Sequence, residues 1–364
     1  MSVRLYGRTV GNGSLAVVTR GFEQVLQGAG KLEAVFALDR TGGSDETSDG
    51  ARGAQAKHGV FVGPLNDLRY LTQNARHEHL WVMVTPNSDY LPSQILSYIK
   101  QLQTVADVTI MSPSHWAANQ VRAALANLCF GVDVVVVRHG VHAVLCPNPE
   151  EITKAKLAYD DGEFRVIHFS TTSGERKGTY ELVLAWDQLQ RQRRLPPAAK
   201  LILALDTQAK SALVERLLDA GLNALLSMPG LQIAPRPNLS PEQMRNVLCF
   251  MHVLCAPSRG EGFGLTPAEA LACGVPVVAT HVTGHSEGHC DSPGSLQVAT
   301  GDLAPIDDGP GALAPSVSPE AIAETLLRAH ERWAAWSEAA LSSSSEYRKQ
   351  WSWDAGLRDW LTKL

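Results

Sequence analysis

The sequence predicts an α/β fold made of two doubly wound halves. Short apolar runs rich in β-branched residues alternate with amphipathic helical stretches along the chain. The alternation pauses after Cys146, where Pro147 and Pro149 mark a crossing, and then resumes. A length of 364 residues suits two domains better than one.

In the first half, strands are predicted over residues 3–6, 32–38, 79–85, 107–111 and 132–137, and helices over 14–27, 92–103 and 113–128. The run at 132–137 is continuously β-branched, as in a strand covered on both faces. Residues 41–52 read as an exposed loop. In the second half, strands are predicted over 164–169, 201–205, 253–256 and 275–279. Helices are predicted over 178–190 and 208–220. Residues 302–318 are rich in Pro, Gly and Asp and read as a loop. Two helices are then predicted over 319–341 and 343–364.

Composition narrows the class. Hydrophobic residues make up 45% and charged residues 19%, which fits a packed globular enzyme. The net charge of −5 gives no basic excess to follow a nucleic-acid backbone. No apolar run reaches the length of a membrane span and no signal peptide is read at the start. The six cysteines form no CxxC pair and read as buried thiols, so the cytoplasm is the expected location.

The richest segment is PSRGEGFGLTPAEALACGVPVVAT, residues 257–280. Glu261 sits among Gly262, Phe263 and Gly264, and Glu269 follows after seven intervening residues. Helix punctuation places Thr266 as N-cap, Pro267 as first helical residue, Glu269 third and Gly274 as the stop. Strand, glycine loop, helix and strand in this order form a site for an anion, with backbone amides and the helix dipole directed at it. A Thr266–Glu269 capping box would explain Glu269 without any ligand.

This segment resembles the E-x7-E signature of the retaining, nucleotide-sugar-dependent glycosyltransferases of the GT-B fold, the group 1 or family-four type. The resemblance is strongest over residues 132–287 and the C-terminal helix, and weaker over 1–107. It implies two Rossmann-like domains facing a cleft: an acceptor-side domain over 1–150, a nucleotide-sugar-binding domain over 151–341, and a helix over 342–364 packing back on the first. It implies that Glu261 approaches the donor sugar and Glu269 the ribose hydroxyls. Gly262, Phe263, Gly264 and Leu265 would hold sugar and diphosphate. No metal or other cofactor is implied, and the nucleoside diphosphate sugar (UDP- or GDP-linked) is a co-substrate.

Lys177 and Gly178 match the family's Lys-Gly turn, whereas Thr171 or Thr172 stands where an Arg belongs; Arg176 is the available substitute. A lysine before a helix opposes the macrodipole unless an anion is shared there. The first β/α turn, GRTVGNGS, is no G-x-G-x-x-G fingerprint, yet Gly11 and Gly13 fit the family's glycine loop facing the donor. Asn87, Asp89, His115 and Trp116 follow first-half strands and are acceptor-side candidates, and His139 lies in a turn resembling the family's P-x-G-V-D element. Gly284, His285 and Glu287 match a G-H-x-E element near the nucleotide. The four-residue spacing of His281, His285 and His289 would suit a metal on a helix, but the intervening glycines argue for a loop.

The expected reaction is transfer of a sugar to an unidentified hydroxyl acceptor on a glycan, lipid-linked glycan, protein or small molecule. Alternatives are transfer to a hydroxylated DNA base, epimerisation or hydrolysis of the sugar nucleotide, and a catalytically silent nucleotide-sugar-binding subunit.

Overall fold

The computed structural model describes residues 2–8, 14–38, 57–63, 67, 77–87, 91–126, 131–171, 175–236, 238–306 and 309–364. Gly11, Gly13, Asp89, Thr172, Cys129 and the loop at 41–52 lie outside these described residues. The chain forms two compact units. One comprises Met1–Pro86, Leu91–Gly140 and Trp351–Leu364, the other Asn87–Tyr90 and Val141–Gln350.

The first unit holds a six-stranded parallel sheet. Its strands are β1 (Val3–Gly7), β2 (Leu32–Ala37), β3 (His58–Val62), β4 (His79–Met83), β5 (Asp107–Ser112) and β6 (Asp133–Val136), in the spatial order β2-β1-β3-β4-β5-β6. Helices α1 (Ser14–Gly28), α2 (Ser93–Leu102) and α3 (His115–Ala126) connect strands of this sheet. Phe61, Val82, Ile99 and Ile110 are fully buried in its core. Strand β3 escaped the sequence reading because HGVFV is short and preceded by a polar stretch. The expectation for residues 132–137 is corrected: β6 is an edge strand, exposed at Asp133 and half-buried beyond it. Its β-branched side chains suit a pleated surface with one neighbour as well as a buried one.

The second unit repeats the plan. Strands β7 (Arg165–Ser170), β8 (Lys200–Leu205), β9 (Leu231–Pro235), β10 (Val253–Ala256), β11 (Val277–Thr280) and β12 (Ser295–Val298) form a parallel sheet in the order β12-β11-β10-β7-β8-β9. Helix α4 (Pro149–Asp160), capped by Asn148, packs on α7 (Pro241–Phe250). This packing moves the unit boundary to Gly140, ahead of residue 150. Helices α5 (Thr179–Arg191) and α6 (Thr207–Asp219) occupy the positions that periodicity gave them. Phe164, Leu201 and Leu203 beneath them and Trp186 of α5 are fully buried. Full burial of each such side chain stabilises the unit by roughly 1.5–3 kcal/mol.

Two expectations near the C-terminus are corrected. Residues 302–318 contain most of an antiparallel hairpin, β13 (Thr300–Pro305) with β14 (Leu313–Val317). Three helices follow rather than two: α9 (Pro319–Glu331), α10 (Trp333–Gln350) and α11 (Trp353–Leu361). Helix α10 packs on α8 (Leu265–Ala272), which keeps it in the second unit to Gln350 rather than 341. Ser352 caps α11 by accepting the Ala355 amide. Within the first unit α11 lies on α1, with Trp360 edge-on to Phe22 at 5.2 Å.

Candidate functional site

The site forms where β7 and β10, adjacent in the second sheet, end at their carboxyl edges. After β7 the chain turns through Glu175–Gly178 into α5. Gly178 has φ +66° and lies so close to Pro257 that a Cβ would stand 2.3 Å from its carbonyl oxygen. Only glycine satisfies both conditions, and it lets this turn press against the loop after β10. The Arg259 amide donates to the Arg176 carbonyl at 2.8 Å and completes the seam.

That seam brings the predicted charges together. The Lys177 ammonium donates to the Glu261 carboxylate, and the Arg176 guanidinium pairs with the same oxygen at 3.0 Å. Arg176 also donates to the Gly260 carbonyl at 2.6 Å. Arg176 and Glu261 are buried, with Lys177 at the rim. Burial alone would raise the Glu261 carboxyl, but Lys177 and then Arg176 outweigh it and hold the group well below the usual carboxylate range. Burial lowers the Lys177 ammonium, opposed by Glu261. The anion shared at the start of α5 is therefore Glu261 itself.

The backbone at Glu261 is fixed separately. Its amide donates to Thr283 Oγ1 at 2.8 Å and its carbonyl accepts the Gly284 amide at 2.7 Å. Thr283 has φ +48°, an unfavourable conformation for a β-branched residue, held at the point where it grips the glycine loop. Gly264 has φ +93°, and a Cβ there would stand 2.3 Å from the His285 ring. Phe263 meets His289 edge-on at 4.8 Å, and His289 Nδ1 bonds the Tyr347 hydroxyl at 2.6 Å. Burial pushes His285 down to about 4 and His289 to about 3, so both support the loop as neutral rings.

The start of α8 differs from the sequence expectation. Gly264, not Thr266, is the N-cap, and the helix runs Leu265–Ala272 with no side-chain cap. Glu269 lies beyond the first turn, so the Thr266–Glu269 capping box does not form. A left-handed glycine starts the helix two residues early and leaves the first amides without a side-chain acceptor. Glu269 is half-buried, and burial pushes its carboxyl up to about 7 against the opposing Arg236 guanidinium.

Arg236 was not found from sequence. It follows β9, lies over the Phe169 ring with its guanidinium carbon 5.6 Å from the centroid, and feels both Glu269 and Asp206. Its only sequence signal is a basic residue just past a strand end, ahead of Pro237. A groove of about 980 Å³ opens beside it, lined by Asp206, Thr207, Lys210, Glu215 and Pro235. Thr283 and Tyr347 were also missed, since their roles depend on contacts across the fold.

Among the described residues, no three His, Cys, Asp or Glu side chains are arranged to hold a metal ion. His281 is exposed and stands 3.5 Å from Asp291, while His285 and His289 are buried. The acceptor-side candidates belong to other elements. Asn87 lies beyond the end of β4, and His115 and Trp116 open α3. His139 is buried with its ring 5.8 Å from Trp353, and burial pushes it down to about 3.

Two parallel six-stranded sheets flanked by helices, each in its own unit, give the GT-B fold. Residues 163–332 match the family model for glycosyl transferases group 1, and the chain carries a group 1 glycosyltransferase domain. The D-inositol 3-phosphate glycosyltransferase of Segniliparus rotundus is 27% identical over 248 residues, covering 66% of this chain and 49% of that protein. The lipopolysaccharide core biosynthesis mannosyltransferase LpsB of Rhizobium meliloti is 41% identical over 106 residues, 28% of this chain and 27% of that protein. The chain thus spans about half the length of the first of these relatives. HepE of Anabaena in complex with UDP-glucose shares the fold with a TM-score of 0.71 at 15% identity, covering 100% of both chains. Sucrose-phosphate synthase of Thermosynechococcus elongatus does so with 0.67 at 16%, covering 100% of this chain and 98% of that one. Among the described residues no helix is long and apolar enough to cross a membrane.

Proposed function

We propose that this chain moves a sugar from a nucleoside diphosphate sugar to a hydroxyl acceptor, with retention at the anomeric carbon and without a metal. The observation that carries the reading is the convergence of Arg176 and Lys177 on Glu261, beside a helix that starts without a side-chain cap. A diphosphate placed there meets two cations and helix-end amides at once. As the bond from the anomeric carbon to the phosphate oxygen breaks, charge grows on that oxygen, and Lys177, Arg176 and the amides after Gly264 stabilise it. These fixed groups supply the positive charge that a metal would otherwise bring. Glu261 orients the donor sugar, and Glu269 with Arg236 faces the nucleoside. Front-face substitution is the route we assign, with no protein nucleophile.

HepE binds UDP-glucose, which favours a UDP-sugar as donor. The inositol-phosphate relatives favour a small phosphorylated polyol as acceptor. The test is thermal stabilisation and hydrolysis with UDP-glucose, UDP-N-acetylglucosamine and GDP-mannose, in chelator, followed by transfer to inositol 3-phosphate or simple glycosides. Release of nucleoside diphosphate and a new glycoside retaining the donor's configuration are expected. Absence of stabilisation and turnover with every donor would overturn the reading, and activity that needs an added divalent ion would overturn its metal-free form.

A further inference from the structure

Hairpin β13–β14 contains the same triplet twice: Leu303-Ala304-Pro305 and Leu313-Ala314-Pro315. The triplets pair antiparallel, with Ala304 opposite Ala314, Leu303 opposite Pro315 and Pro305 opposite Leu313. This pairing creates a local two-fold about the alanine pair, and the prolines remove two donors from the ladder.

The guanidinium of Arg259 reaches both triplets. Its Nη2 donates to the carbonyls of Ala304 at 2.9 Å, Pro305 at 3.1 Å and Ala314 at 3.3 Å, and its Nε to Pro315 at 3.0 Å. The same two carbonyls of each triplet thus accept from one planar fork. Arg259 is buried, and Glu181 is near enough to feel its charge. Its backbone stands two residues before Glu261 and donates to the Arg176 carbonyl at 2.8 Å. One residue thereby joins the hairpin, the Arg176–Lys177 turn and the Glu261 loop.

We infer that Arg259 is a positioning residue, holding the twin Leu-Ala-Pro hairpin against the Glu261 loop so that Glu261 keeps its place before Arg176 and Lys177. The consequence for turnover rests on the function proposed above; the mechanical coupling does not. A lysine keeps the charge but not the planar fork, so it cannot reproduce the four bonds together. The hairpin then acts as a brace for the loop.

The test is hydrogen exchange by mass spectrometry on the unliganded full chain, comparing wild type with Arg259→Lys and Arg259→Gln. We expect exchange to accelerate about tenfold or more in the hairpin and in residues 257–264 together, with β8 and α5 unchanged. Turnover of UDP-glucose or GDP-mannose, whichever wild type uses, should fall about tenfold or more in the Gln variant with KM within about threefold, and the Lys variant should recover part of it. A hairpin that loosens alone, a loop and hairpin that both keep wild-type exchange, or wild-type turnover in both variants would overturn the inference. If the Gln variant does not fold, the Lys variant decides by the same readings. If wild type turns over neither of these nor UDP-N-acetylglucosamine, the functional reading fails, and the exchange experiment still decides the coupling.

Discussion

Glu261 is held by two cations, and this changes what its neighbours are for. The sequence presents Lys177 as a cation at the wrong end of a helix, so its removal would be expected to relieve strain. The structure shows it paired with a buried carboxylate, so Lys177→Ala leaves Glu261 with Arg176 alone. We expect that variant to melt lower than wild type and to lose turnover more than donor affinity, by up to about 3–4 kcal/mol of transition-state stabilisation. Calorimetry with UDP and steady-state kinetics measure the two parts, and equal losses in affinity and turnover would count against a transition-state role. Glu269 behaves in the opposite way. Burial raises its carboxyl to about 7, so the folded state holds its proton longer than the unfolded chain does. Its contribution to stability is complete below about 4.5 and is lost as pH rises through about 7. Glu269→Gln should therefore stabilise the apoprotein at pH 8, on the order of 1–3 kcal/mol, while weakening nucleotide binding. A variant that melts lower at pH 8 would show that the carboxylate is satisfied where it lies.

At the scale of elements, the glycine loop depends on a backing that local sequence does not show. Gly264 starts α8 in a left-handed conformation and lies on His285, which is itself buried. Gly264→Ala combines a backbone penalty of roughly 1–2 kcal/mol with a Cβ placed 2.3 Å from a buried ring. Loss of donor binding with a lower melting temperature is expected, and unchanged binding would show that the loop tolerates displacement. Here the sequence misplaced the helix start. Thr266, Pro267 and Glu269 form a good capping pattern, but a glycine with a positive φ two residues upstream overrides it. The same limit applies to the hairpin. Its Pro and Gly content suggested a loop, whereas the Arg259 guanidinium satisfies carbonyls that a loop reading leaves unassigned.

Across the whole molecule, buried histidines set the response to acid. Burial pushes His168, His252 and His285 to about 4 and His139 and His289 to about 3. Each folded value lies below that of the unfolded chain, near 6.5, so stability is complete above about 6.5 and falls as pH drops towards 4. Glu261, depressed by Lys177 and Arg176 against the effect of burial, adds a loss of the same sign below about 4.5, and Glu269 offsets part of it. The expected loss between pH 7.5 and 5 is at least a few kcal/mol, read as a lower melting temperature by calorimetry. Equal melting temperatures at the two pH values would mean that these rings are hydrated in solution.

Local sequence was enough for the alternating α/β plan, the second-unit segment from β10 through β11, the placement of Glu261 and Glu269 on one strand–loop–helix frame, and Lys177 on the turn of another. Those features are local: apolar periodicity, glycines and helix punctuation lie within a few residues of what they specify. It took the folded chain to start α8 at Gly264, to point Arg176 at Glu261, to bring Arg236 within electrostatic reach of Glu269, and to bind both triplets of the hairpin to Arg259. Each is settled by a contact between segments far apart in the chain, where burial and hydrogen-bond satisfaction outweigh local propensity. A charge can be read from sequence, but its partner is chosen by the fold that brings the two within reach.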